Sequence, residues 1–161
     1  MAREVFTRKG SSVGPERLSV STATLKQALP ELVDPDEYAV KITEARLTSD
    51  RKRRNSKGNV SIVLTLVDSK TEQPFDTRPL WIDGPNASVG NLAPRNYKVI
   101  VDLLAALGID EASYTEINDD LLAKLIGKSF EVELDVDRGR NGRAFNYIAR
   151  VIEAITKQSG I

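Results

Sequence analysis

A two-residue alternation of apolar and polar positions, the mark of half-buried β-strands, recurs along this chain. In the first such run, from about Glu37, Tyr38, Val40 and Ile42 alternate with Ala39, Lys41 and Thr43. Beyond it, Ala45 and Leu47 carry the apolar role. The face has shifted by one residue, which predicts a bulge near Glu44 and a strand that bends. A second strand, from about Asn59 to Val67, sets Val60, Ile62, Leu64 and Leu66 on one face. A third is predicted over about Phe75 to Ile82, with Leu80 and Ile82 together and Trp81 pointing the other way. The fourth is the cleanest: Phe130, Val132, Leu134 and Val136 face in, and Ser129, Glu131, Glu133, Asp135 and Asp137 face out. In the fifth, from about Ala144 to Ile152, the alternation assigns Phe145, Tyr147, Ala149 and Val151 inward and Asn146, Ile148 and Arg150 outward.

Helical spacing replaces the alternation in three places. From about Pro94 to Leu107, Tyr97, Val101, Leu104 and Leu107 form a stripe, widened by Ile100 and Leu103. Pro94 suits the first turn and Gly108 the C-terminal cap. A short helix is predicted from Asp119 to Ile126, with Asn118 as N-cap, Gly127 as stop, and Leu121, Leu122 and Leu125 inward. Leu25, Ala28, Leu29 and Leu32 also recur helically, but Pro30 and Pro35 limit that helix to about two turns.

Three strands, a helical insert and two strands predict a mainly-β fold: a five-stranded OB-like Greek-key barrel with the insert between strands 3 and 4. A generic α+β domain with a five-stranded antiparallel sheet is the competing architecture. Residues 1–36 read as an N-terminal arm with a short helix, the stretch Met1 to Gly14 being either plain arm or a short added strand around Val5 and Phe6; residues 37–161 read as the barrel domain. At 161 residues a single domain is expected.

Composition narrows the chemistry. There is no Cys and no His, which excludes a disulfide framework, a zinc finger, a thiol nucleophile and any His-based triad. No apolar run reaches the length of a membrane span, and the N-terminus lacks a signal core, so a cytoplasmic protein is expected. The carboxylate row on strand four is a row, with neighbours about 6.6 Å apart, and not a convergent metal cage. Asp119 and Asp120 sit where a helix dipole favours anions. No phosphate-cradling glycine loop occurs. The residues carry no enzyme signature and imply no cofactor.

The chain has 23 basic and 23 acidic residues, so any case for nucleic acid must rest on where the charges sit. They sit in two hairpin loops. Arg51, Lys52, Arg53, Arg54 and Lys57 lie between strands one and two, against Asp50 alone. Arg138, Arg140 and Arg143 lie between strands four and five, beside an Asn141-Gly142 reversal. In an OB-type barrel these two loops flank the face that takes single-stranded nucleic acid. Guanidinium forks suit phosphates and stack on bases. Trp81 is the candidate stacking platform, the alternative being that it packs beneath the helical insert or the arm; Phe75 is a secondary one. Phe145 and Tyr147, on the apolar face, read as core. Lys41, Arg46, Asn146 and Arg150 are candidate backbone contacts, and Lys41 and Arg150 also stand to neutralise the acidic row of strand four.

Several segments, spanning about 40–155, resemble a family of phage and prophage proteins described as single-stranded DNA-binding and found beside recombination or replication genes. They are Lys57-Gly58-Asn59-Val60-Ser61-Ile62, the helix end at Leu103 to Ile109, Leu125 to Lys128 leading into Phe130 to Leu134, and Gly142 to Val151. The resemblance implies an OB-like fold and a role in phage DNA metabolism; Gly127, Lys128, Gly142, Asn146 and Tyr147 are the matching positions. The chain departs from such binders at its end, since Thr156 to Ile161 is not an acidic partner-recruiting tail. The expected function is non-sequence-specific single-stranded DNA binding in replication or recombination, inside an infected or lysogenic bacterium. Phage recombination or replication proteins and further copies of the chain are the other partners this reading admits. The alternative is a protein-interaction module that inhibits or modulates a host enzyme or defence system.

Overall fold

The computed structural model describes residues 18–22, 29–50, 59–84, 92–139 and 141–155. The strand expected at Val5 and Phe6, most of the helix expected over 24–32, the first basic loop and the tail from 156 lie outside the described residues. Five strands form one antiparallel sheet: β1 (Asp36–Asp50), β2 (Asn59–Asp68), β3 (Leu80–Asp83), β4 (Ser129–Arg138) and β5 (Ala144–Ile155). Their spatial order is β3-β2-β1-β4-β5. Between β3 and β4 the chain forms α1 (Leu92–Ala106), a 3₁₀ turn (Glu111–Ser113) and α2 (Asp119–Ala123). No helix among the described residues is long and apolar enough to cross a membrane.

β1 serves two partners. Its first half pairs with β4 (Asp36–Lys41 against Leu134–Ser129), and its length from Val40 onward pairs with β2. Between them the register slips from Ile42↔Leu66 to Glu44↔Thr65, leaving Thr43 as the extra residue, so the bulge expected near Glu44 is present. Where β4 ends its pairing, Ile42 turns its backbone to the chain after α2: its N–H donates to the Lys128 carbonyl (2.9 Å), and its carbonyl accepts from Gly127 N–H (2.6 Å). Gly127 reaches this position at φ +83°, the left-handed region that suits glycine.

One side of the sheet carries the core. Val40, Ile42, Ile62, Leu66, Phe130, Val132 and Leu134 are almost wholly buried there. Ile100, Leu103 and Leu104 of α1, with Leu122 and Leu125, close it from the other side. Each such side chain contributes about 1.5–3 kcal/mol of burial free energy. The α1 stripe is rotated from the expected one: Val99 is buried, whereas Tyr97 is 39% exposed and donates its hydroxyl to Glu111 (2.9 Å). α1 ends as the sequence predicts, at Gly108 (φ +84°), with Gly108 N–H on Ala105 and Ile109 N–H on Leu104. The N-cap of α2 is Asn118, whose side chain accepts from Leu121 N–H at 2.8 Å.

Three expectations need correction. The closed barrel is not formed: β3 and β5 are the two margins of an open sheet, and α1 packs against both. One parallel rung, Thr77↔Asn146, crosses between the two sides. The third strand does not begin at Phe75, because β3 covers only Leu80–Asp83. Pro74 and Pro79 cannot donate to a ladder, and the stretch between them pairs by single bridges to Glu31 and Asn146 instead. Phe75 is buried edge-on against Tyr38 (centroids 5.5 Å apart), so it is no stacking platform. Finally, the inward face of β5 is not the expected one. Opposite Phe130, Val132, Leu134 and Val136 stand Ala154, Val151, Ile148 and Asn146, because Ala149 and Ile152 are bulged out of the ladder.

Candidate nucleic-acid interface

Where the sheet fails to close there is a cleft of about 770 Å³, within the range of ligand-binding pockets. One wall is the segment from Thr77 to Trp81; the other is Phe145 to Ile148 of β5, with Arg138, Gly139 and Asn141 of the last hairpin. The first turn of α1 (Arg95, Asn96) roofs it, and Leu64 and Leu66 of β2 form part of the lining. Asn96 anchors that roof by donating its side-chain amide to the Trp81 carbonyl at 2.8 Å.

Three aromatic rings line the cleft: Trp81, Phe145 and Tyr147. Two carry a guanidinium at cation–π distance, Arg78 on Phe145 at 5.5 Å and Arg95 on Tyr147 at 5.2 Å. The two arginines differ in restraint. Arg78 is held by Asp76 at 2.7 Å, whereas among the described residues Arg95 has no carboxylate partner. Arg138 donates to the Gly142 carbonyl (2.8 Å), which braces the hairpin. Asp137 lines the same wall, its carboxylate accepting from Arg138 N–H at 2.8 Å. The cleft thus offers apolar ring faces beside a cationic surplus. Burial, then the Asp135 carboxylate, pushes the Tyr147 phenol above its ordinary pKa, with Arg95 acting the other way, so the ring stays neutral at physiological pH.

The expected site residues distribute as follows. Trp81 and Arg138 line the cleft. Arg143 is exposed in the same hairpin, its N–H on the Asn141 side chain (3.0 Å). Arg51, Lys52, Arg53, Arg54, Lys57 and Arg140 lie outside the described residues. The hairpin bearing the first five is closed by the pair Asp50↔Asn59, two residues along β2 from Ser61, which faces Trp81. Lys41 and Arg150 are not cleft residues. Arg150 pairs with Glu133 (3.1 Å) and Glu37 (3.5 Å), the neutralising role expected for it, and Arg46 pairs with Glu44 (2.6 Å).

Asn146 is corrected from a backbone-contact candidate to a structural residue. It is fully buried; its side chain accepts from Val33 N–H (2.9 Å) and donates to the carbonyls of Val33 (2.9 Å) and Asp135 (3.3 Å). Phe145 and Tyr147 move the opposite way, from core to cleft wall. Sequence reasoning passed over Arg78 and Arg95. A signal existed for Arg95: the first turn of α1 holds no acidic residue, and a cation there opposes the helix dipole, which marks a side chain kept for another purpose.

Among the described residues, no group of carboxylates is arranged to hold a metal ion. No protein-family model matches the chain, and a search of characterised proteins finds no match either.

Proposed function

We propose that this chain is a phage single-stranded DNA-binding protein, non-enzymatic and not sequence-specific, that acts in replication or recombination on an OB-like Greek-key barrel. The observation that carries the reading is the cleft in which three aromatic rings stand beside Arg78, Arg95 and Arg138. Stacking on rings is sequence-tolerant because every base has a π-face, and guanidinium groups track the phosphates. The strand order and the single parallel Thr77↔Asn146 rung support an OB-like barrel left open at one seam. The cleft also runs from the last hairpin, at Arg138, to the Trp81 rung beside the base of the first basic hairpin.

Titration of a fluorescein-labelled oligo-thymidine at two ionic strengths tests it. Saturable binding is expected, weakening as salt rises with a log–log slope of about −0.7 per phosphate neutralised. Trp81 is the only tryptophan in the chain, so its emission reports occupancy of the cleft directly. An absence of binding at low salt, together with capture of one stoichiometric host protein, would replace this reading with the protein-interaction one.

A further inference from the structure

We infer that Tyr147 and Arg95 form a clamp for one unpaired base, so that the cleft takes strands with an unstacked nucleobase and refuses a duplex of the same sequence. This rests on the reading of the cleft as a single-strand site. The two cation–π pairs in the cleft look alike in distance but not in freedom. The Arg78 guanidinium is fixed by Asp76 at 2.7 Å and remains on Phe145 as a static wall. Arg95 has only the Tyr147 ring among the described residues, is exposed, and stands on the first turn of α1. Among the described residues, lifting it from the ring breaks no ion pair. A base entering between them exchanges one cation–π contact for two stacking contacts, one on the phenol ring and one under the planar guanidinium. In a duplex both faces of a base are occupied by its neighbours, so the clamp has nothing to grip.

Asn96 is the positioning residue of this clamp. It is 9% exposed, and its amide bond to the Trp81 carbonyl fixes the α1 turn that carries Arg95 against β3. Tyr147 is set from the other side, by the pairing of β5 with Asp135 of β4 and by burial along the cleft wall. The two halves of the clamp thus come from α1, which Asn96 fastens to β3, and from β5.

The test compares the full chain with Tyr147→Leu, Tyr147→Phe and Arg95→Ala on three probes: oligo-thymidine, the same strand with abasic sites throughout, and a duplex. On oligo-thymidine, Tyr147→Leu and Arg95→Ala should each bind at least about fivefold more weakly, and Tyr147→Phe within about twofold of the original. The double variant Tyr147→Leu/Arg95→Ala should lose less than the product of the two single losses, since either change alone opens the clamp. On the abasic strand the Tyr147→Leu difference should vanish, which a merely structural role of the ring would not produce. Equal losses on abasic and thymidine strands, or variants that bind oligo-thymidine like the original, would overturn the clamp while leaving single-strand binding intact. Failure of the unsubstituted protein to bind any strand would instead remove the underlying reading. If Tyr147→Leu does not fold, the exposed Arg95 carries the test alone, judged by the same comparison of thymidine and abasic strands.

Discussion

At the level of single side chains, Asn146 is the most informative position. An amide is costly in a core unless each of its polar atoms finds a partner, and here the Val33 peptide supplies both a donor and an acceptor. Its own N–H meanwhile donates to the Asp76 carbonyl at 2.7 Å. One residue therefore fastens the segment before β1, the segment before β3 and β5 to each other. Asn146→Ala should lower stability by about 2–3 kcal/mol in urea denaturation, because the partly buried Val33 groups lose their partners. A loss below about 0.5 kcal/mol would mean that water replaces the amide without cost. This is also where alternation misleads: nothing local distinguishes an outward Asn on a strand from an inward one whose partner lies 113 residues away.

Among the elements, those whose instructions are local were legible. The bulge in β1, the Asn118 cap, the Gly108 stop and the inward row of β4 all follow from neighbouring residues, whereas α2, expected to run to a stop at Gly127, ends at Ala123 with Lys124 as its C-cap. What was not legible depends on pairing across the molecule. The bulges at Ala149 and Ile152 reverse the face of β5, and they exist only in register with β4. They turned Phe145 and Tyr147 into cleft wall, so the pattern hid half of the candidate site. The turn after β2 supports a prediction of its own. Asp68 accepts N–H bonds from Lys70 (2.9 Å) and Thr71 (3.0 Å), and the Thr71 bond is the chief cause of its lowered pKa, ahead of the Lys70 bond, against some desolvation. A folded-state pKa below the unfolded one gives stability that is present above the ordinary aspartate range and is lost as pH falls through the lowered value. Asp68→Asn should therefore lower stability at neutral pH, flatten the acid limb of the stability profile, and change little once the pH lies below the lowered value. An unchanged acid limb would show that the turn does not feel the charge.

For the molecule as a whole, electroneutrality and polarity coexist. The net charge is zero, yet the acidic row of β4 is met by Arg150, and the cleft at the other side of β5 keeps its arginines. Long-range attraction then depends on the loops. Neutralising Arg51, Lys52, Arg53 and Arg54 together should weaken oligonucleotide binding at about 50 mM salt by at least about tenfold and flatten its salt dependence. An unchanged isotherm would take that loop out of the interface and leave the cleft to act alone.

The margins of the sheet have a bearing on crowding. Proteins that coat a strand sit shoulder to shoulder, where a long, flat, unpaired strand would recruit a neighbour's backbone and seed fibrils. Here β3 is four residues long and β5 is kinked at Ala149 and Ile152. A short β3 and a bulged β5 make each copy a poor template for the next, and under the single-strand reading proposed above they would let copies pack closely along DNA without fusion into a continuous cross-β array.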